Sequence, residues 1–370
     1  MLAFNLQPLP LPPYHEEPQL FSANEHLELM RYVVQAIESL NELNMLRKVI
    51  PTDLTSVFKL TESVQSTKIE GTQATLDEVM EAEAIQKEGS IDVQEVLNYQ
   101  NALDLGINKA IRNDYPLSTS LLKEIHKEIL YRSRGASRNP GEFRTNQNWI
   151  GSETGGIEKA QYVPPIAARV PELMGNLDKF INEPNDKFHP LIMAGIIHAQ
   201  FESIHPFLDG NGRVGRLLIS LFLLKEKVCG DHIVFVSEEL ERNKFKYYSL
   251  LNNLRTEQPK WFDWLAFFLK SITRQAQNEI IKAKKIFGLL DFYINENNTI
   301  GESMNGYKIL LQVFSKPVFT AKNIQQALNI SNGTVNKWLK YFVEKGIIYP
   351  NDKKRGVVYR NYELMDILNH

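Results

Sequence analysis

The stretch that decides the fold is His205-Pro206-Phe207-Leu208-Asp209-Gly210-Asn211-Gly212-Arg213-Val214-Gly215-Arg216. It places an imidazole, a carboxylate, an amide, three glycines and two arginines within twelve residues. Apolar runs that are typical of buried helices flank it, 191–201 before and 217–224 after. A loop between two buried helices rarely needs such chemistry for structure alone.

Several residue types in this stretch suit the binding of phosphate. Gly210 and Gly212 can adopt positive φ and leave room for a ligand beside the backbone. Successive backbone N–H groups at a helix N-terminus form an anion hole. Arg213 and Arg216 are three positions apart, so they share one helix face and can grip neighbouring phosphates. The alternative is a glycine turn with a capping aspartate and surface arginines, which explains each residue singly but not the set.

His205 and Asp209 add a base and a metal ligand. Asp209 offers a hard oxygen to Mg²⁺, which favours one carboxylate together with substrate phosphates. His205 precedes the anion hole, and an ordinary histidine pKa lies near the operating pH, as a general base needs. The pattern predicts a base that activates a hydroxyl to attack a metal-bound polyphosphate.

The spacing His-Pro-Phe-x-Asp-Gly-Asn-Gly-Arg-x-x-Arg resembles the signature of Fic-domain proteins, and every fixed position is filled. The resemblance implies an all-helical core that transfers a nucleotide, usually AMP from ATP, to a hydroxyl side chain of a protein. It makes His205 the base and Asp209 the Mg²⁺ ligand. The phosphate-binding residues that it implies are Gly210, Asn211, Gly212, Arg213 and Arg216, the last of them at the γ-phosphate.

A second motif, Ser66-Thr67-Lys68-Ile69-Glu70-Gly71, ends a predicted helix over 58–69. By itself, Gly71 is typical of a C-cap and Glu70 of a solvated last-turn residue, although an acid there opposes the helix dipole. Many Fic proteins carry Ser/Thr-x-x-x-Glu-Gly/Asn on an inhibitory helix, which Ser66, Glu70 and Gly71 match. The resemblance implies that Glu70 pairs with Arg216 and blocks the γ-phosphate.

Composition bounds the class of protein. The 370 residues are too many for one core, so two or three domains are expected. A net charge of −2 gives the chain no overall electrostatic attraction to nucleic acid or to a membrane surface. Cys229 is the one cysteine, which excludes an internal disulfide framework. No apolar run reaches transmembrane length and no signal peptide is evident, so we expect no membrane partner and a cytoplasmic location.

We divide the chain into an N-terminal helical region with the inhibitory motif (1–112), a Fic catalytic core (113–285) and a winged-helix-like domain (302–370). The proline-rich segment 7–18 is interpreted as a strap or a loose arm. The other predicted helices cover 26–47 with Asn24 as its cap, 76–87, 93–111, 118–131, 170–180, 190–203, 237–254 and 261–281, and the continuation of the last one to 287 is interpreted as a linker. His126 is interpreted as a packed or solvated residue, and His198 as a packed histidine, with a metal pair with His205 as the alternative.

Two further segments belong to the predicted core. Residues 141–144 resemble the Gly-x-Phe-Arg segment that precedes the flap of the family. Runs 148–151 and 160–165 bracket glycines and predict a β-hairpin, which the family uses to hold the target by strand addition; a covering loop is the alternative. Residues Asn243, Tyr247 and Tyr248 resemble the segment of the family that contacts adenine. Core packing is the alternative role for the two tyrosines.

The C-terminal pattern resembles a winged helix. Helices are predicted over 307–314, 321–328 and 333–345, followed by strand-like runs at 347–349 and 357–359. Such modules often place the third helix in the DNA major groove. Residues that could serve are Asn332, Thr334, Asn336, Lys337, Lys340, Lys353, Lys354 and Arg355. A dimerisation or target-docking module is the alternative, because the basic patch is modest.

The sequence therefore predicts a mainly all-α protein adenylyltransferase that uses ATP and Mg²⁺. Its acceptor is expected to be a Ser, Thr or Tyr hydroxyl of a target protein or of the chain itself, and Glu70 is expected to restrain it. One alternative is removal of AMP by hydrolysis or transfer of another phosphate-linked group. The other is a DNA-binding regulator whose Fic domain senses nucleotide. The sequence leaves a homodimer open.

Overall fold

A computed structural model of the chain describes residues 21–369 except 51–53, 87–88, 152–155, 185–186, 231, 257 and 297. The proline-rich segment 7–18 lies outside the described residues. The predicted mainly helical class is confirmed. The helices up to the signature are α1 (Ala23–Val49), α2 (Leu54–Ile69), α3 (Leu76–Ile85), α4 (Ile91–Gly106), α5 (Thr119–Ile129), α6 (Val170–Asn182) and α7 (Pro190–Ile204). A π-helix, Ile107–Arg112, continues α4, and 3₁₀ turns cover Ile157–Lys159 and Ala167–Arg169.

The chain after the signature is also mostly helical. Its helices are α8 (Asn211–Lys225), α9 (Ser237–Arg242), α10 (Lys244–Asn253), α11 (Trp261–Asn295), α12 (Asn298–Gly301), α13 (Met304–Ser315), α14 (Ala321–Leu328), α15 (Asn332–Glu344) and α16 (Tyr362–Asn369). Three short strands lie among the last of them, β1 (Val318–Thr320), β2 (Tyr349–Pro350) and β3 (Val358–Arg360). No helix of the described chain has both the length and the apolarity that crossing a bilayer requires.

The centre of the molecule is the helical hairpin of α7 and α8. All but the first residue of α7 is buried, and its run of Ile, Leu, Met and Ala gives it an apolar surface on every side. A helix that is apolar all round must be enclosed by others. The long helices α1 and α11 pack against each other, and α11 also packs on α7. The signature loop therefore lies between the two most enclosed helices of the fold.

Three predicted boundaries are wrong. Helix α1 is capped by Ser22, whose hydroxyl accepts from the Glu25 N–H while the Glu25 carboxylate accepts from Ser22, so Asn24 lies inside the helix. The predicted helix over 237–254 is two helices that meet at Asn243. The linker expected between 281 and 287 is part of α11, which is continuous to Asn295.

The predicted flap is present in reduced form. Ile150 and Tyr162 form an isolated antiparallel bridge, without longer strands on either side. The Tyr162 hydroxyl donates to the Ser203 carbonyl on α7, 2.7 Å away. The segment is therefore fixed to the signature hairpin at its base, and residues 152–155 at its turn lie outside the described chain.

The C-terminal segment combines α13 to α16 with a three-stranded antiparallel sheet in the order β1-β3-β2. Thr320 caps α14 through a reciprocal bond with Asn323. Strand β1 and helix α16 were not predicted. The alternation of helices with a terminal hairpin agrees with the predicted pattern, and its assignment as a winged helix stays a prediction.

Candidate active site

His205 ends α7 in a left-handed conformation, with φ 51° and ψ 59°, and its N–H donates to the Phe201 carbonyl at 2.9 Å. This turn redirects the chain at the base of the signature loop. The side chain is 17% exposed. Burial, together with the smaller effect of the positive charge of Arg255, lowers the pKa of His205 to about 3. The expectation of a pKa near the operating pH is therefore wrong, and the imidazole is neutral and uncharged at neutral pH.

The signature loop is held by its own side chains. The Asn211 amide nitrogen donates to the Phe207 carbonyl and its amide oxygen accepts from the Phe207 N–H, both at 2.9 Å. Gly210 adopts φ 78° at the N-terminus of α8. Asn211 is buried and its amide fixes the signature loop, while its predicted place lining the phosphate site stays a prediction.

His126, on α5, supports the same loop from outside. Its ring stacks on Phe207 with centroids 3.8 Å apart. The Gly141 N–H donates to His126 Nδ1 at 2.8 Å, which leaves the proton on Nε2, and Nε2 donates to the Asp209 carbonyl at 2.9 Å. Burial lowers the pKa of His126 to about 4, so this neutral tautomer persists at neutral pH. His126 is therefore a packed residue, and its ring connects Gly141 to the signature loop.

Asp209 presents a carboxylate that is 41% exposed beside the α8 N-terminus. Its Oδ1 accepts from the Gly210 N–H at 2.5 Å and from Arg213 Nη2 at 3.2 Å. No cluster of three or more His, Cys, Asp or Glu side chains that could hold a metal occurs in the described chain. A single exposed carboxylate fits Mg²⁺, which takes one or two carboxylates and completes its shell with phosphates and water.

Glu70 and Arg216 form a direct ion pair across the site. Arg216 Nη2 lies 2.6 Å from Glu70 Oε1, and it also donates to the Ser66 carbonyl at 2.9 Å. Arg216 Nε donates to Ser66 Oγ at 2.9 Å. The arginine side chain is 1% exposed and the glutamate 35%. The end of α2 is therefore bound to the first turns of α8 through Ser66 and Glu70.

Electrostatics and packing both favour this pairing. Burial alone would raise the pKa of Glu70, but the charge and hydrogen bond of Arg216 hold it below its usual value. Burial disfavours the Arg216 charge, and Glu70 nevertheless raises the pKa of that guanidinium. A Cβ at Gly212 would lie 2.2 Å from Glu70 Oε1. The carboxylate thus rests against the glycine of the anion hole, in space that a side chain would fill.

Arg144 joins the flap to the signature loop. It is 2% exposed, and its hydrogen bonds go to backbone carbonyls, among them those of His205 at 2.9 Å and Pro165 at 2.5 Å. Its own N–H donates to the Pro206 carbonyl at 2.9 Å. The guanidinium therefore fixes the backbone on both sides of the base, which explains the arginine of the Gly-x-Phe-Arg segment.

Comparisons with known proteins agree with this geometry. A family model described as "Fic/DOC family" matches residues 116–223, and one described as "Fic/DOC family N-terminal" matches residues 30–108. Together they cover about half of the chain. The chain belongs to the Fic/DOC family.

Among curated relatives of this Fic/DOC protein, the protein adenylyltransferase Fic of Drosophila yakuba is 29% identical over 193 residues, which are 51% of this chain and 36% of that protein. The counterpart from Drosophila ananassae is 28% identical over 190 residues, or 50% and 35% of the two chains. The chain therefore spans about a third of the length of the curated relatives it matches.

Solved structures share the fold at lower identity. A Fic family protein from Desulfovibrio desulfuricans G20 is 22% identical with a TM-score of 0.58, and the match covers 94% of this chain and 98% of that one. A Fic domain containing signaling protein from Bacteroides thetaiotaomicron is 23% identical with a TM-score of 0.54, over 67% and 97%. The Fic fold thus extends over nearly the whole chain.

The predicted adenine-side residues of this Fic/DOC chain differ in exposure. Tyr247 is buried, its hydroxyl lies 2.8 Å from His198 Nε2, and its ring packs on Trp264, as core packing predicts. The Asn243 amide nitrogen donates to the Glu239 carbonyl and carboxylate at 3.0 and 2.8 Å. Tyr248 is 36% exposed and is the one of the three with a surface free for a base.

Two residues near His205 were missed from the sequence. Glu202, on the last turn of α7, lies under His205. Arg255, after α10, donates to the Glu202 carbonyl at 3.0 Å and lies 4.0 Å from the centroid of the Tyr162 ring. The three-residue spacing of Glu202 and His205 is a local signal that could have been found. Arg255 has no such signal, because only the tertiary fold brings it to the site.

Proposed function

We propose that this chain is a Fic-type protein adenylyltransferase that transfers AMP from ATP to a Ser, Thr or Tyr hydroxyl of a target protein or of itself. The observation that carries the proposal is the convergence on one helix N-terminus of a neutral histidine, an exposed aspartate and two arginines. Anions bind at such an N-terminus, and arginines match phosphate geometry. The names of the curated relatives support the same activity.

The chain's own residues account for the chemistry of transfer. His205 is neutral at neutral pH, so its free nitrogen can take the proton of the target hydroxyl as the oxygen attacks the α-phosphorus. The bond from the α-phosphorus to the bridging oxygen breaks and pyrophosphate leaves. The α8 N-terminus, Arg213 and Arg216 compensate the charge on the phosphates. Asp209 would hold Mg²⁺, which neutralises phosphate charge when bound.

We further propose that Glu70 restrains this activity. Arg216 cannot bind a γ-phosphate and keep its ion pair with Glu70 at 2.6 Å. The glutamate oxygen also lies over Gly212, where a phosphate would meet the helix N-terminus. ATP must therefore displace the carboxylate or bind in a pose that does not expose the α-phosphorus to His205.

The base assignment tests the proposed function. We expect that His205→Ala in the Glu70→Gly protein abolishes incorporation of α-labelled AMP, because loss of general-base help costs on the order of 10²–10⁴-fold in rate. ATP binding, measured by calorimetry, should remain. Wild-type incorporation by the His205 variant would overturn the mechanism. Loss of label from a modified protein, without net incorporation, would instead favour AMP hydrolysis.

The C-terminal segment carries a basic surface, and we propose that this surface binds duplex nucleic acid. The loop between β2 and β3 exposes Lys353, Lys354 and Arg355, and α15 exposes Asn336 and Lys340. With Lys322 of α14, several of these residues line an open groove of about 780 Å³. Lysine and arginine at phosphates release counterions, so binding should weaken steeply with salt.

Fluorescence anisotropy with a labelled DNA duplex tests this surface. Alanine at 353, 354 and 355 together should weaken binding and reduce the slope of log affinity against log salt by about 3. The same substitutions should leave AMP incorporation by the Glu70→Gly protein unchanged. Salt-independent or absent binding by the unmodified chain would remove nucleic acid as the ligand and favour protein docking. The homodimer and the cytoplasmic location stay predictions.

A further inference from the structure

Glu202 is a buried carboxyl group without an evident structural task. Its side chain is 8% exposed, and Oε1 is buried with no hydrogen-bond partner among the described residues. Its Oε2 lies 3.9 Å from His205 Nδ1. That ring nitrogen is also buried, and no neighbouring group forms a hydrogen bond of normal geometry with it among the described residues. Buried polar groups are almost always satisfied, so two neighbouring exceptions need an explanation.

The surroundings leave room for this carboxylate and supply charges to it. A Cβ at Gly215 would lie 2.7 Å from Glu202 Oε1, so the glycine of α8 makes the space. The charged and titratable groups that act on Glu202 come from each element around it: His198 and His205 at α7, Arg216 on α8, Glu70 after α2, Tyr247 on α10 and Arg255 after α10. None of the cations among them forms a hydrogen bond with the carboxylate in the described chain.

We propose that Glu202 is a positioning residue for His205, whose Nδ1–H it accepts while Nε2 takes the proton of the target hydroxyl. The inference rests on the proposed function. The two atoms need to approach by about 1 Å to reach hydrogen-bond distance. Both lie at the end of α7, three positions apart, so a change of side-chain rotamer suffices. During the transfer step the Glu202 carboxylate takes no proton from His205; it holds the tautomer and stabilises the imidazolium, as an acid does beside a catalytic histidine in other enzymes.

The need for such a group follows from the low pKa of His205. Burial lowers that pKa to about 3, so the imidazole is a weak base unless its charged form gains a partner. Burial raises the pKa of Glu202 to about 7, although Arg216 opposes this. Below that pH the carboxyl group is protonated and donates to Nδ1, which moves the imidazole proton to Nε2. Above it the carboxylate accepts from Nδ1–H, and Nε2 is free to act as the base.

The experiment compares Glu202→Gln and Glu202→Asp in the full-length Glu70→Gly protein. We expect Glu202→Gln to lower kcat roughly tenfold or more with little change in the KM for ATP, because it removes the charge that stabilises the imidazolium. The fall in kcat on the acid side of about pH 7 should disappear. Glu202→Asp should recover part of kcat. A matched control is Glu279→Gln, a buried glutamate that pairs with Arg47 at 2.8 Å and should affect stability rather than kcat.

A second measurement does not depend on activity. Nitrogen NMR of histidine-labelled protein reports which ring nitrogen of His205 carries the proton. We expect the neutral ring to change from the Nε2–H to the Nδ1–H form as pH rises through about 7, and we expect this change to be absent in Glu202→Gln. An unchanged tautomer together with an unaltered kcat–pH profile would overturn the role of Glu202. If Glu70→Gly transfers no AMP at all, the proposed function fails, and the NMR result alone decides the role of Glu202.

Discussion

Gly215 of α8 lies where neighbouring side chains leave no room for a Cβ atom. A Cβ there would meet Glu202 Oε1 at 2.7 Å, a Phe201 ring carbon at 3.1 Å and His198 Nδ1 at 3.2 Å. We expect Gly215→Ala to lower the free energy of unfolding by about 1–3 kcal/mol, as overpacking does in enclosed cores. It should also reduce AMP incorporation in the Glu70→Gly protein, because Glu202 must move. Thermal unfolding and the label assay measure both effects.

A matched control for that change is Gly175→Ala. Gly175 lies in the interior of α6, and no atom comes within 4 Å of the Cβ that it would gain. Alanine there should stabilise the helix by up to about 1 kcal/mol and leave AMP incorporation unchanged. A stability loss at 175 as large as that at 215 would mean that the steric argument for Gly215 is wrong.

The residues that carry the chemistry could be predicted individually, but their electrostatics could not. The signature predicts His205, Asp209 and Arg216 because its residue types recur at fixed spacing. The pKa of His205 depends on burial and on Arg255, fifty positions away in sequence, so an isolated motif suggests the wrong value. The sequence also does not show that the Asn211 side chain bonds to the backbone of its own loop, at Phe207.

Helices α2 and α8 are joined by the Glu70–Arg216 ion pair on which the proposed regulation depends. We expect Glu70→Gly to raise self-modification, because it frees Arg216, which now has Glu70 and Ser66 as its partners. Arg216→Ala added to Glu70→Gly should lower the activity again, because the guanidinium that would bind the γ-phosphate of ATP is then missing. Incorporation of α-labelled AMP into wild-type, single-mutant and double-mutant protein measures this. Equal incorporation by wild type and Glu70→Gly would remove the case for autoinhibition.

Most helices could be predicted within a few residues, because apolar periodicity over ten or more positions is a strong signal. The break at Asn243 was missed, since its side chain bonds back to Glu239 in competition with the helix. Strand β1 and helix α16 were missed because one has 3 residues and the other 8, too few for a clear period. The flap pairs at one bridge only, and no sequence pattern specifies how far pairing extends.

At the scale of the whole molecule, the C-terminal segment packs on α3, the helix that follows α2. Arg360 Nε on β3 lies 3.1 Å from Asp77 Oδ1 on α3, and its Nη2 also bonds to Glu81. Lys282 of α11 donates to the Leu368 carbonyl of α16 at 3.2 Å. The predicted division at 302 therefore crosses ionic as well as apolar contacts.

Arg360→Ala measures the ionic part of this contact. Both carboxylates on α3 are partly exposed, so the pairs should contribute about 0.5–1 kcal/mol to the free energy of unfolding. Denaturant unfolding should report a loss of that size, and added salt should reduce the difference from wild type. Arg355→Ala, on the exposed loop before β3, is the control and should not change stability.

Removal of residues 302–370 tests whether the C-terminal segment is separable. The elements of the site, α2, α7, α8 and α10, all precede residue 302, so the shortened chain should fold and bind ATP with little change in affinity. It should unfold at a lower temperature, because buried Leu290 and Tyr293 of α11 lose apolar cover that the removed helices supply. Calorimetric titration with ATP and thermal unfolding of both chains measure the two effects. A shortened chain that is insoluble, beside a soluble full-length protein, would show that the Fic core and the C-terminal segment fold as one unit.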